Sequence, residues 1–236
     1  MVQAQGEGGV SAAPGSGTLP SDISARTGDD DPYRIGRHGH GSGHGEGGPA
    51  SRYVTVTYGF WIFLLSDIIM FSAFFAGYAV LSSATAGGPV ARELFELPRV
   101  AVQTGLLLTS SFTCGLGSLA SHRRDMAWTQ LWLLVTGLLG AGFLILEVQE
   151  FWTMIDEGAG PSRSAFLSSF FALVGCHGLH VGLGLLWLGT MMAQLWVKGF
   201  RDDILRRLHC FNLFWHALDI VWIAIFSLVY LLGASA

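Results

Sequence analysis

The chain has 236 residues, of which 51% are hydrophobic and 13% charged, with a formal net charge of -4. A soluble domain carries about 25% charged residues. The deficit, with a positive mean hydropathy, argues against a soluble enzyme or a nucleic-acid binder and for a membrane protein.

Residues 1–52 differ in composition from the rest of the chain. The first fifty hold 13 of the 32 glycines and one aromatic residue, Tyr33. They contain no apolar run of signal-peptide length and cannot bury enough apolar surface to order themselves. We read them as a disordered, Gly/His-rich tail. Its "HGHGSGH" stretch, with His38, His40 and His44, could hold a stray metal ion, but nothing fixes a ligand geometry.

Residues 53–236 form the second unit. It contains five apolar segments: Tyr58–Leu81, Pro98–Ser121, Ala127–Trp152, Phe166–Trp196 and His209–Leu232. Each exceeds the roughly 20 residues that cross a bilayer. Backbone groups in hydrocarbon must be satisfied within the segment, so each is expected to be a helix, and the fold an all-α bundle of five transmembrane helices. Lys and Arg set the orientation. With the N-terminus cytoplasmic, only Arg92, Arg99 and Arg163 of the 13 basic residues fall outside. The tail is then cytoplasmic and the C-terminus periplasmic. The second segment repeats small residues every fourth position (Gly105, Thr109, Thr113, Gly117, Ser121), and the fourth carries Gly178 and Gly182, which suits close helix approach. Cys114, Cys176 and Cys210 lack CxxC spacing and read as packing residues.

Ionisable groups stand inside these segments: Asp67, Glu147, Glu150, His177, His180, His209, His216 and Asp219. At about 1.5 Å per residue, Asp67, His177, His216 and Asp219 fall at overlapping depths near the midplane, and Glu150 lies near the outer end of its helix. His177/His180 and His216/Asp219 are i,i+3 pairs on one helix face. A buried His beside Asp would form a mutually satisfied unit, and a buried carboxylate with no partner would hold its proton. Three readings stay open on the residues alone. A haem or metal site is disfavoured because an i,i+3 His pair cannot supply both axial ligands of one haem, and no metal-ligand spacing is present. A proton or ion transporter would suit midplane Asp, His and Glu, but the sequence has no internal repeat and no broken helices. Interhelical hydrogen bonding that fixes the packing accounts for most of these groups.

Several motifs add to this reading. "YGFWIFLLSDIIMFSAFFAGYAVL", "FELPRVAVQTGLLLTSS", "LEVQEFW", "SSFFALVGCHGLHVGLGLLW" and "FWHALDIVWIAIFSLVYLLG" resemble subunit III of the haem–copper terminal oxidases, over roughly Tyr53 to Gly233. Five spans, and Asp rather than Glu in "GFWIFLLSD", resemble the quinol-oxidising branch, the cytochrome bo-type ubiquinol oxidases. A cytochrome c oxidase subunit III is the alternative. The resemblance implies a non-catalytic subunit of a proton-pumping complex in the bacterial inner membrane. Haems and copper are then expected in subunit I, and no cofactor or metal on this chain. The implied partners are subunits I and II, a small subunit IV, phospholipid held in a groove, and ubiquinol used by the complex, with no nucleic acid. The family's reactive carboxylate corresponds to Asp67, its histidines to His177, His180 and His216, its buried acid to Asp219 and an outer acid to Glu150. The resemblance implies that subunit III stabilises subunit I and supports proton uptake.

Overall fold

A computed structural model describes residues 52–87 and 96–235. The tail expectation lies outside the described residues. Five long helices dominate: α1 Arg52–Leu81, α2 Leu97–His122, α3 Met126–Asp156, α4 Ala165–Lys198 and α5 Asp202–Ile225. A π-helical stretch, Phe226–Leu231, and a final turn, α6 Leu232–Ser235, continue α5. All five long helices have the length and apolarity to cross a membrane.

The ends have local causes. Pro98 occupies the first turn of α2, where its missing N–H costs no hydrogen bond. The Asp125 side chain accepts from the Trp128 N–H at 3.2 Å and caps α3. Ser164 does the same for α4 through the Leu167 N–H, also at 3.2 Å. Gly199, at φ 67°, ends α4 in a conformation other residues resist. α5 starts at Asp202, seven residues before the apolar run that announces it in the sequence. Asp202 and Asp203 in its first turn complement the helix dipole, so a polar turn that apolarity alone excludes is nonetheless helical.

α2 packs on α3 and α5, and α4 packs on α1, α3 and α5. α1 rests on α4 and α5 through Leu64, Phe71 and Tyr78, two turns apart, and turns Trp61, Ile62, Leu65 and Ile69 outward. The small-residue stripe of α2 is only partly an interface. Thr113, Gly117 and Ser121 are buried, whereas Gly105 and Thr109 are exposed. The tight positions lie elsewhere. A Cβ on Gly140 of α3 would meet Trp215 Cζ2 at 2.8 Å, and one on Gly184 of α4 would meet Trp215 Cζ3 at 2.9 Å. These two glycines form the slot that seats the Trp215 ring.

Candidate functional site

The polar groups gather in layers along the bundle, organised by α5. Trp215 and Trp222 are two turns apart and share one face of α5. Trp215 Nε1 donates to Ser110 Oγ of α2 at 3.1 Å, and Ser110 Oγ donates to the Thr136 carbonyl of α3 at 3.0 Å. Trp222 Nε1 donates to Thr104 Oγ1 of α2 at 3.0 Å. Both indoles are buried, so each N–H finds the partner its burial demands.

His216 and Asp219 do not bond directly among the described residues. His216 Nδ1 lies 2.6 Å from Ser111 Oγ of α2, and the Asp219 carboxylate is within reach of the same hydroxyl. The expected His–Asp unit is therefore a His–Ser–Asp arrangement. His216 reaches from α5 onto α2 at Ser111, and the Asp219 Oδ1 oxygen is buried without a hydrogen-bond partner among the described residues.

The second layer is built on Glu150. It accepts from Gln103 Nε2 of α2 at 3.1 Å and from the Tyr230 hydroxyl of the π-helical stretch at 3.2 Å. Gln103, Glu150 and Tyr230 are all buried. This triad ties α2, α3 and the end of the α5 rod with hydrogen bonds to a carboxylate. Gln103 and Tyr230 were not singled out from the sequence. Gln103 was findable, because it is the one amide in the buried stripe Val100, Gln103, Leu107, Ser111 and Cys114.

The third layer departs from the hydrogen-bonding expectation. His177 is wholly buried, stacked on Trp222 with ring centroids 5.3 Å apart and edge-on to Phe143 at 5.9 Å. Neither ring nitrogen has a hydrogen-bond partner among the described residues. Glu147, 2% exposed, likewise has no partner on either oxygen among the described residues. Its carboxyl lies against the backbone of Gly178, where a Cβ would stand 2.5 Å from Oε1. His180 is half-buried, and its Nδ1 donates to the Cys176 carbonyl of its own helix at 2.7 Å. Among the described residues, His177 is thus held by ring contacts, and His180 bonds within its own helix.

Asp67 is half-buried. It lines an apolar crevice between α1 and α5 with Leu64, Phe71, Phe214 and Leu218, within electrostatic range of the Cys176 thiol. It makes no hydrogen bond to the midplane histidines or to Asp219. Sharing their depth did not bring it into their network.

These surroundings do not fit a haem held by this chain. His177 is enclosed by Trp222, Phe143 and Phe71, and His180 is tied to its own helix. No group of three or more His, Cys, Asp or Glu side chains converges among the described residues.

The family model described as "Cytochrome c oxidase subunit III" matches residues 44–234. The chain belongs to the cytochrome c oxidase subunit III family. The match takes in all five long helices and every polar layer. A "Cytochrome bo(3) ubiquinol oxidase subunit 3" of Pseudomonas aeruginosa is 50% identical to the chain over 204 residues, covering 86% of it and 94% of the relative. A "Quinol oxidase subunit 3" of Bacillus subtilis is 45% identical over 74% of the chain and 86% of the relative. A "Cytochrome c oxidase subunit 3" of Bacillus sp. strain PS3 is 44% identical over 74% of the chain and 84% of the relative.

Proposed function

We propose that this subunit III serves a quinol-oxidising terminal oxidase, a respiratory complex of the bacterial cytoplasmic membrane that couples quinol oxidation and reduction of O₂ to water with proton translocation. The observation that carries the reading is the 50% identity to a ubiquinol oxidase subunit 3 along nearly its whole length. The redox centres belong to the complex, with the haems and copper assigned to subunit I. Subunits I and II, a small subunit IV and phospholipid are the partners. The N-terminus and the tail of residues 1–52 face the cytoplasm, in keeping with the distribution of Lys and Arg.

The role is supportive, and the polar layers suggest how it is performed. In lipid there is little hydrophobic drive between helices, so shape-matched packing and interhelical hydrogen bonds hold a bundle together. Here α2, α3 and α5 with its π-helical continuation are joined by two layers of such bonds, and the Trp215 slot adds α4. A rigid bundle of this kind can brace subunit I through turnover. Asp67, on α1 and outside those layers, is free to serve proton uptake without carrying the fold.

Affinity purification of the chain from membranes, with absorption spectra of the eluate, tests the assignment. Copurifying haem-bearing subunits that oxidise quinol are expected. A chain that elutes alone, without haem, would overturn it in favour of an independent transporter. The Bacillus sp. PS3 relative keeps a cytochrome c oxidase as the second reading, and oxidation of reduced cytochrome c but not of quinol would establish that one.

A further inference from the structure

α5 lies between α1 and α2, since α1 packs on α4 and α5, and α2 packs on α3 and α5. The side of α5 away from α4 is open. Ile220 stands 68% exposed there, and the half-buried Leu213, Ala217 and Ala224 share its stripe at helical spacing. We propose that this face is the docking surface for a transmembrane helix of a partner subunit, one that brings a hydrogen-bond donor to Asp67 and His216 in the middle of the bilayer.

Four observations carry this. First, two ionisable groups flank the face with bonding capacity unused. Asp67 is half-buried in the crevice with Ala217 and Val221, and His216 is half-buried on the α2 side beside Ser111. Asp67 has no hydrogen-bond partner among the described residues, and His216 engages only Nδ1 there. Acyl chains offer no donor at that depth, and an ionisable group left facing hydrocarbon is costly, so such groups pair with protein. Second, the opposite side of the bundle differs. Between Leu131 and Val148 the exposed residues of α3 are Leu131, Leu134, Leu138, Ile145 and Val148, all apolar. That side suits acyl chains, whereas the α1–α5–α2 side does not. Third, the shape admits a helix. Ala217 and Ala224 keep the open side of α5 low. On α2 a Cβ on Gly115, one turn from Ser111, would meet nothing within 4 Å. Small residues let a second helix approach closely. Fourth, the sign is set. The bordering spans hold no Lys or Arg from Tyr58 to Leu81, Ala101 to Ser121 or Cys210 to Leu232, and Asp219 adds a carboxyl one turn from His216. The face therefore carries two carboxyls and no cation. A second copy would bring no cation either, so the matching surface belongs to a different chain with an Arg, Lys, Asn or Gln donor at that depth.

This docking surface presumes that the chain is one subunit of a membrane complex, and the haem content of that complex reports on the oxidase assignment separately. A photo-crosslinking amino acid is placed at Ile220, with Leu138 on α3 as the comparison position, and the complex is irradiated in native membranes before purification. At Ile220 the linked peptide is expected to come from a transmembrane segment of a different chain, with Arg, Lys, Asn or Gln within one turn of the linked residue. At Leu138, lipid adducts are expected. Lipid adducts alone at Ile220, or a link to a second copy of this chain, would overturn the docking surface. A partner segment with none of those donors would overturn the pairing. Asp67→Leu should weaken retention of the chain in the detergent-washed complex about tenfold, because the partner's donor is left unpaired. Asp67→Asn keeps an acceptor oxygen and should be retained as the wild type is. Equal retention of Asp67→Leu and wild type would also end the proposal. Crosslinking is read with Asp67 intact, so it decides the matter even if the leucine variant fails to assemble. A linked partner in a complex without haem would sink the oxidase assignment and leave the docking surface standing.

Discussion

The backbone of Gly178 on α4 is a wall of the Glu147 site on α3: a methyl group added there would lie 2.5 Å from Oε1, 2.9 Å from Cδ and 3.0 Å from Oε2. The carboxyl has little room to yield, because Glu147 is buried between packed helices. Gly178→Ala should therefore push α3 and α4 apart and destabilise the complex by about 1–3 kcal/mol, the usual cost of overpacking. Gly182→Ala is the control. Its Cβ would meet only Leu144 Cδ2 at 3.7 Å, so heat-induced loss of subunit III should be unchanged or slowed. Equal sensitivity of the two variants would show that the crossing is not tight at Gly178.

A related experiment concerns Trp215. Trp215→Phe removes the donor to Ser110 and shortens the ring that fills the slot between Gly140 and Gly184, for about 1–3 kcal/mol. Gly140→Ala alone should also destabilise, because its Cβ would meet Trp215 Cζ2 and Cη2. Phenylalanine lacks those atoms. The double variant should accordingly be more stable than the sum of the singles predicts, and strict additivity in thermal denaturation would argue against the slot.

For the Glu150 layer, Tyr230→Phe deletes the hydroxyl that donates at 3.2 Å while leaving the ring packed. The expected loss is about 0.6 kcal/mol and at most about 1.7 kcal/mol, the mean and maximum measured for hydrogen bonds in a membrane bundle. The same change in a Glu150→Gln background should cost a different amount, since an amide replaces the carboxyl group that accepts the bond. Thermal midpoints of the four complexes complete the cycle, and a coupling of zero would mean the bond does not contribute.

Asp67 lies outside the hydrogen-bonded layers, and Asp67→Asn should assemble normally and reduce O₂ at close to the wild-type rate. Any effect is expected in proton uptake or in survival during turnover. Oxygen consumption by a haem-replete Asp67→Asn complex is the decisive measurement, and abolished activity in that preparation would refute a supporting role.

The five helices were legible because a membrane span states itself in length and apolarity, and each expected segment lies within an observed helix or its continuation. The polar layers were only half legible. Glu150, His216 and Asp219 could be placed at depth by counting residues, but counting gives no azimuth, so it joined His216 to Asp219 directly and passed over Ser111. It also grouped Asp67 with the midplane histidines, when its helix faces it into an apolar crevice. Histidines in a span suggested hydrogen bonding, yet the His177 ring is used as an aromatic plate against Trp222. The slot glycines were missed for a related reason. A repeat of small residues draws the eye to α2, whereas Gly140 and Gly184 stand on different helices and gain meaning only when Trp215 comes between them.

The π-helical stretch at Phe226–Leu231 governs how this region tolerates change. A wider turn holds one more residue than an α-helical turn, so it acts as a built-in insertion that resets the angular phase of everything beyond it. Tyr230 meets Glu150 only in that phase. Removing a single residue from the stretch would let the helix close into ordinary α geometry and would swing the tyrosine away from its carboxylate without altering any side chain that bonds it. The joint is thus more vulnerable to a one-residue shortening than to most substitutions within it, and the number of residues between Trp222 and Tyr230 carries as much information as their identities.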